Sequence, residues 1–536
     1  MGRFLLLWLA GCAVLGCSAD FDELPIVGRI KQYDYTFDIE TGHATAGLAI
    51  AVAGPGDCFV ASFDLPEARA ATWNWSPASR LTVANGTIEI CGEPIAAGEP
   101  LAITVDLDVP KTVDGGPADI GFSRTQDGSG GEFTYLLSWF GGCSRFGPCE
   151  PDPALLAGYH FTVRHPANDV VLCPGELRPG TTTTECLLTG TLAPTYSAFS
   201  IAADPRWQRT DFLTAGGVDV VLYEVPPATI APGLDRTFVA AFLTWITDLL
   251  GPYPYGAEIR YAGAPTVWAG FEHPASILLH QAAGDMHTFL HETVHQWAGD
   301  RTTIASVADF VWKEAIAEYL SYVFEDEHGS PSEAAFWLGD WQSFAVSASM
   351  FPRPTDDPLP ALGSWYADVY GSGTMTLFVQ LESLFGRPTV LDAIQRFLAS
   401  PGARSVGELR EALELASGRD LRPYFDAWVF GAGRPEWPTF AVATSQVGDQ
   451  VTVTVTQQNA SHRLYGCRVE VEVRGAASSA IAVVDFGVAP TAPSASATVA
   501  LAEPVVSTVF DPRGRVVGRV AGAPSRPRPD VAFHPR

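Results

Sequence analysis

Basic residues are scarce in this chain: 33 Lys and Arg stand against 60 Asp and Glu, a formal net charge of −27 over 536 residues. So acidic a folded body offers no electrostatic footprint for a phosphate backbone or an anionic membrane surface, which excludes nucleic-acid binding as the expected role. The acidity itself is read as a contribution to solubility. Also missing are Cys-x-x-Cys spacings that would suggest a thiolate metal site, internal repeats and, beyond the first residues, any apolar run long enough to cross a bilayer. With 47% hydrophobic residues the chain is too apolar for disorder and too long for one core. About three domains are expected.

The first residues join a basic start, Met1-Gly2-Arg3, to a short apolar stretch ending at Cys17. This is the pattern of an export signal, too short to span a membrane. Val14-Leu15-Gly16-Cys17 is similar to the lipobox of bacterial lipoproteins, which implies a lipid anchor at Cys17 and a periplasmic or cell-surface location, with the outer membrane favoured. Leu9-Ala10-Gly11-Cys12 fits that pattern more closely but would leave an unusually short signal, and an ordinary cleaved signal with an unmodified Cys17 is the plain alternative. Six of the remaining seven cysteines lie between Cys58 and Cys186. Export makes disulfides plausible, and six cysteines allow fifteen connectivities. The simplest pairs neighbours: Cys58 with Cys91, Cys143 with Cys149, Cys173 with Cys186. Cys467 is left as a buried thiol.

Along the chain the hydrophobic period changes twice. Residues 18–226 show short alternating runs broken by Gly, Pro and Asp, such as Ala102 to Val109, and predict an all-β domain. Residues 227–433 turn to helical spacing over Phe238–Leu250, Met286–Trp297, Val307–Phe324, Thr374–Phe385 and Val406–Ala416. Residues 434–520 return to alternation, strict over Val451 to Thr456, and predict a small β-sandwich. The Pro- and Arg-rich residues 521–536 read as a disordered tail, and residues 1–17 as the signal. The expected fold class is multidomain α+β.

Chemistry concentrates in the middle segment. His291-Glu292-Thr293-Val294-His295 is followed, after eighteen intervening residues, by Glu314. Residues four apart share a helix face, so both imidazoles can converge on one ion with Glu292 beside them as a base for a water on the metal. A tetrahedral Zn site needs a third protein ligand and one open position, and Glu314 can supply that ligand from a second helix. Ser306-Val307-Ala308-Asp309 approximates a capping box at the start of that helix, and Gly299 is a reasonable stop for the first.

The words around these ligands, His295-Gln296-Trp297-Ala298-Gly299 and Trp312-Lys313-Glu314-Ala315-Ile316-Ala317-Glu318-Tyr319-Leu320, resemble those of the aminopeptidase N family of gluzincin zinc metallopeptidases. Further similarity lies in Phe146-Gly147-Pro148-Cys149-Glu150-Pro151, in the short Pro194-Thr195-Tyr196, in Pro252-Tyr253-Pro254-Tyr255 and in Asp420 to Trp428, so that it covers most of residues 21 to 433 but is strong only at these motifs. The resemblance implies a thermolysin-like, mainly helical catalytic domain over 227–433, one zinc ion on His291, His295 and Glu314, and Glu292 as general base. It also implies that Glu272, in Ala269-Gly270-Phe271-Glu272-His273, holds the free α-amine of a peptide substrate, and that Tyr370 donates to the developing oxyanion. Tyr366 is a nearby alternative for that donor.

Other residues keep two readings. Glu318 stands either behind a ligand imidazole or on an exposed helix face, and Asp309 either there or in a cap alone. His287 is read as a plain helix residue, His273 and His280 as pocket or core residues. The chain departs from the family where Lys313 and Ala315 replace Asn and Gly, where Ala269, Phe271 and His273 replace Gly, Met and Asn, and where Ser138-Trp139-Phe140 stands in place of a substrate-holding glutamine. Only about a hundred residues follow Trp437, against a large helical domain in the family, so a more open cleft is expected. The expected function is zinc aminopeptidase action on peptides with a free N-terminus. The alternatives are an endopeptidase of the same fold and a non-catalytic lipoprotein.

Overall fold

The computed structural model describes residues 24–113, 120–127, 129–265, 269–281, 285–329, 331–459 and 461–522. Cys12, Cys17 and the signal, like residues 523–536 of the tail, lie outside them.

Strands come first, because alternating residues here supply one apolar face. Val27–Asp38 and His43–Gly54 pair antiparallel, and their inward residues Tyr33, Tyr35, Phe37, Ala44, Ala46, Leu48 and Ile50 are buried while the intervening ones meet water. Leu156–Arg164 joins parallel to Val27–Asp38, and Thr183–Pro194 pairs with Leu156–Arg164, within an eight-stranded sheet. A second sheet of five strands contains Glu132–Leu137 and Ser200–Asp204. Three disulfides close this region: Cys58–Cys91, Cys143–Cys149 and Cys173–Cys186. The neighbour pairing is therefore the observed one, and Cys467 is a buried free thiol that burial pushes well above its usual pKa.

The middle segment is not helical alone. Gln208–Ala215 and Val218–Glu224, which precede residue 227, share a five-stranded sheet with Glu258–Ala264, Ser276–His280 and Gly270–Phe271. Two of these pairings, of Glu258–Ala264 with Val218–Glu224 and with Ser276–His280, are parallel, which alternation within one strand cannot reveal. The helices here are α1 (Arg236–Leu250), α2 (Met286–Val294), α3 (Phe310–His328), α4 (Pro331–Ser347) and α5 (Tyr366–Thr374), of which α1 and α2 pack on the sheet and α4 and α5 on α3. Asp235 caps α1 by accepting from Thr237 and Phe238, and Asp285 caps α2 by accepting from Thr288 at 2.8 Å. Helix α3 is buried from Phe310 to Glu325, apolar and polar residues alike, which marks it as the central helix of the fold.

Two local expectations are corrected. Ser306 donates its hydroxyl to the Asp309 carboxylate at 2.7 Å rather than capping a backbone N–H, and Asp309 reaches away to Val406 N and Arg353. The capping box is therefore not formed, and α3 begins after a 3₁₀ turn at Val307–Asp309. Gly299 lies five residues beyond Val294, where α2 ends, so it is not that helix's stop.

Strands resume at the C-terminal end. Gln450–Gln458 lies between Thr439–Val447 and Ser494–Ala500, and Arg468–Arg474 between Ser479–Asp485 and Ser507–Phe510. Val451, Val453, Val455, Val469, Val471 and Val473 are fully buried between neighbours that are not, the alternation expected of a sandwich with one inner face per sheet. No described helix is long and apolar enough to cross a membrane.

Candidate active site

Helix α2 brings His291 and Glu292 to one end of the central helix α3, and His295 follows in the turn just past it. The Nε2 atoms of His291 and His295 are 3.0 Å apart, and Glu314 Oε2 lies 3.3 Å from each. The three residues are almost fully buried, so their polar atoms have no solvent to satisfy them. Glu314 Oε2 indeed lacks a well-formed hydrogen bond.

The backs of both rings are held. His295 Nδ1 is 2.9 Å from the Ala298 carbonyl, and His291 Nδ1 is 3.1 Å from Glu318 Oε1, close but off the line of a good hydrogen bond. Acceptors at both Nδ1 atoms fix the protons there and leave both Nε2 lone pairs facing Glu314. Three converging donors of N, N and O type, oriented from behind, are what a zinc ion takes. Among the described residues the only other such cluster is Cys58, Glu89 and Cys91, whose thiols are spent in a disulfide.

Glu318 is thus inside the site, not on an exposed face. It also receives the Trp341 indole N–H at 2.8 Å and faces His287 Nε2 at 3.2 Å. His287 is not a plain helix residue: its Nδ1 is 2.9 Å from Glu325, so it bridges two carboxylates of α3, and its ring stacks on Trp337. Burial alone would lower its pKa, but Glu325 and Glu318 raise it to about 9. No periodicity rule reveals this bridge, since His287 and Glu318 lie on different helices.

Glu292, Glu272, Lys313, Tyr366, Tyr370, Trp139 and Arg145 line the cleft around His291, His295 and Glu314. Burial pushes Glu292 up to about 8, with Glu272 and Glu314 adding to the rise and His291 opposing it. Gly270 passes so close that a side chain there would collide with the Glu292 carboxylate. Glu272 follows the edge strand Gly270–Phe271, and its backbone carbonyl is held by Gln296 Nε2 at 2.9 Å. Gln296 in turn accepts from Tyr253 and from Ala275 N, a clamp that sequence reasoning missed because it joins three separated segments.

Tyr370 stacks near His291 with ring centroids 6.2 Å apart, and its hydroxyl is held protonated by burial and by the Glu314, Glu292 and Glu318 charges. Tyr366 packs edge-on against Trp139. Both tyrosines reach the cleft. His273 donates its Nδ1–H to the Ser197 carbonyl at 2.7 Å, and together with the partly buried His280 stays outside the cluster of His291, His295 and Glu314.

No family model matches the chain. Aminopeptidase N of Streptomyces lividans is 28% identical over 174 residues, covering 29% of this chain and 20% of that relative. Aminopeptidase A of Legionella pneumophila, solved in complex with aspartic acid, has a TM-score of 0.74 at 16% identity, over 94% of this chain and 61% of that one. The chain is similar to aminopeptidases of the gluzincin kind. The match to this aminopeptidase fold runs from the strands through the site helices, while the chain spans about one fifth of the curated relative's length.

Proposed function

We propose that this protein is a zinc peptidase that removes N-terminal residues from peptides. The observation that carries the reading is the convergence of His291, His295 and Glu314 on one point, with both imidazoles oriented from behind and Glu292 in the same cleft. A zinc ion held there supplies Lewis acidity toward the scissile carbonyl and toward water. Glu292 takes the proton of the attacking water on its carboxylate and returns it to the departing amine nitrogen. Tyr370, kept protonated, donates its O–H to the oxygen that gains charge as the carbonyl is attacked. Glu272 binds the α-ammonium of the substrate and sets the register of cleavage. Arg145 and the aromatic wall of Trp139 and Tyr366 surround the first side chain.

The test is hydrolysis of aminoacyl amides with and without chelator. We expect activity lost on chelation and restored by zinc, and Glu292→Gln to lower kcat by about 10²- to 10⁴-fold with zinc content unchanged. A wild type that binds one zinc tightly and cuts no substrate of a broad panel would sink the reading. Export and a lipid anchor at Cys17 belong to the same proposal. Metabolic labelling with palmitate that disappears in Cys17→Ala, and not in Cys12→Ala, checks them.

A further inference from the structure

Lys313 is the residue that the reading above leaves without work. It precedes Glu314 on α3, its side chain is 1% exposed, and its ammonium is 2.7 Å from Glu272 Oε1 and 2.7 Å from Glu314 Oε1. The stem is guided to that point by Gly299, where a Cβ would come within 2.9 Å of Lys313 Cε and where the backbone holds φ at +139°. The ammonium also lies over the Phe310 ring. This is a dry cation fixed by two carboxylates, not a surface lysine.

The site of that cation matters. Glu272 is the carboxylate assigned to the substrate amine, and one of its oxygens already holds an ammonium belonging to the protein. A count of formal charge in the cleft points the same way. Glu272, Glu292 and Glu314 are offset by a divalent ion together with Lys313. A substrate ammonium would add one uncompensated cation, whereas an acylated nitrogen adds none. Without Lys313 the same ammonium would bring the cleft to neutrality.

We infer that Lys313 is a specificity-determining residue that shares Glu272 with the substrate nitrogen and weakens the demand for a charged amine, so that the site also accepts peptides whose N-terminal nitrogen is neutral. The substrate class is N-acylated peptides alongside free ones. The inference rests on the role given to Glu272 in the proposed function.

The experiment compares kcat/KM for a matched pair, an aminoacyl-peptide and its N-acetyl form, in the zinc-loaded wild type, Lys313→Met and Lys313→Arg. Because any disturbance of the metal acts on both substrates, the ratio isolates the amine. The wild type is expected to cut both, with a ratio near one. Lys313→Met is expected to shift the ratio toward the free amine by about tenfold or more, mostly through KM, and Lys313→Arg to keep it near the wild-type value. Calorimetric binding of leucinol and N-acetyl-leucinol, which lack the scissile bond, to zinc-loaded wild type and Lys313→Met gives a second readout, independent of turnover, in which the free-amine preference is again expected only in the variant. A wild type confined to free amines, or a preference unmoved by Lys313→Met in both readouts, would overturn the inference. If no substrate of either kind is cut but the binding preference still shifts, the peptidase reading fails and the role of Lys313 stands.

Discussion

At Glu318 one carboxylate serves two imidazoles, His291 in front and His287 behind, and takes the Trp341 N–H as well. Its charge is held by these partners, which keep it ionised well below the usual carboxylate range against the cost of burial. Removing the charge while keeping the shape should leave the fold intact and loosen His291. Glu318→Gln is therefore expected to weaken zinc affinity by about 10- to 100-fold, measured by competition with a chromophoric chelator, with a smaller effect on KM. An unchanged zinc affinity would return Glu318 to a packing role. That His291 and His295 converge was legible in sequence because residues four apart share one helix face. That His287 also meets Glu318 was not, because nothing in the spacing of α3 says which face of α2 it meets.

The pairing of α2 with α3 depends on a titrating group. His287 is buried, and burial by itself would lower its pKa. The Glu325 and Glu318 carboxylates win and raise it to about 9, above the ~6.5 of an unfolded chain. A folded value above the unfolded one means that its stabilisation is complete below about pH 6.5 and lost as pH rises through 9. The metal-free protein should accordingly lose several degrees of Tm between pH 7 and 9.5, and His287→Gln should be less stable at pH 7 with a flatter slope over that range. Equal slopes in both proteins would refute this. At the same scale, element type followed from period: Phe238–Leu250 and Val406–Ala416 became helices with bounds moved by only a residue or two. α4 escaped notice because its apolar residues follow no single face. Helix α5 lies outside the ranges predicted from period, and its Gly371 and Gly373 are close packing points, against α4 and against Val311 of α3.

Over the whole molecule, the strands and the site are tied together. The Tyr196 hydroxyl donates to the Gly299 carbonyl at 2.5 Å, next to Thr303, and Thr303 in turn donates to Pro153. Ser197 receives His273, and Trp139 packs on Phe310 at the start of α3. Alternation predicted sheets at each end of the chain but could not predict that the first set would wall the cleft, since such contacts join residues 76 or more positions apart. This arrangement separates two of the three disulfides by consequence. Cys58–Cys91 joins two strands, Gly56–Ser62 and Thr87–Ile95, away from the cleft and closes 33 residues of chain. Cys143–Cys149 closes only six, but it spans the turn carrying Arg145, which lines the cleft. Chain entropy makes the longer loop the larger contributor, in a range of about 2 to 4 kcal/mol. The paired Ser variant of Cys58 and Cys91 should thus lower the denaturation midpoint more than the paired Ser variant of Cys143 and Cys149, while only the second should raise KM. Urea titrations with peptide kinetics on the two variants decide it. If KM follows stability instead, rising most in the variant with the lower midpoint, then the strands merely support the helices and do not shape the substrate side of the cleft.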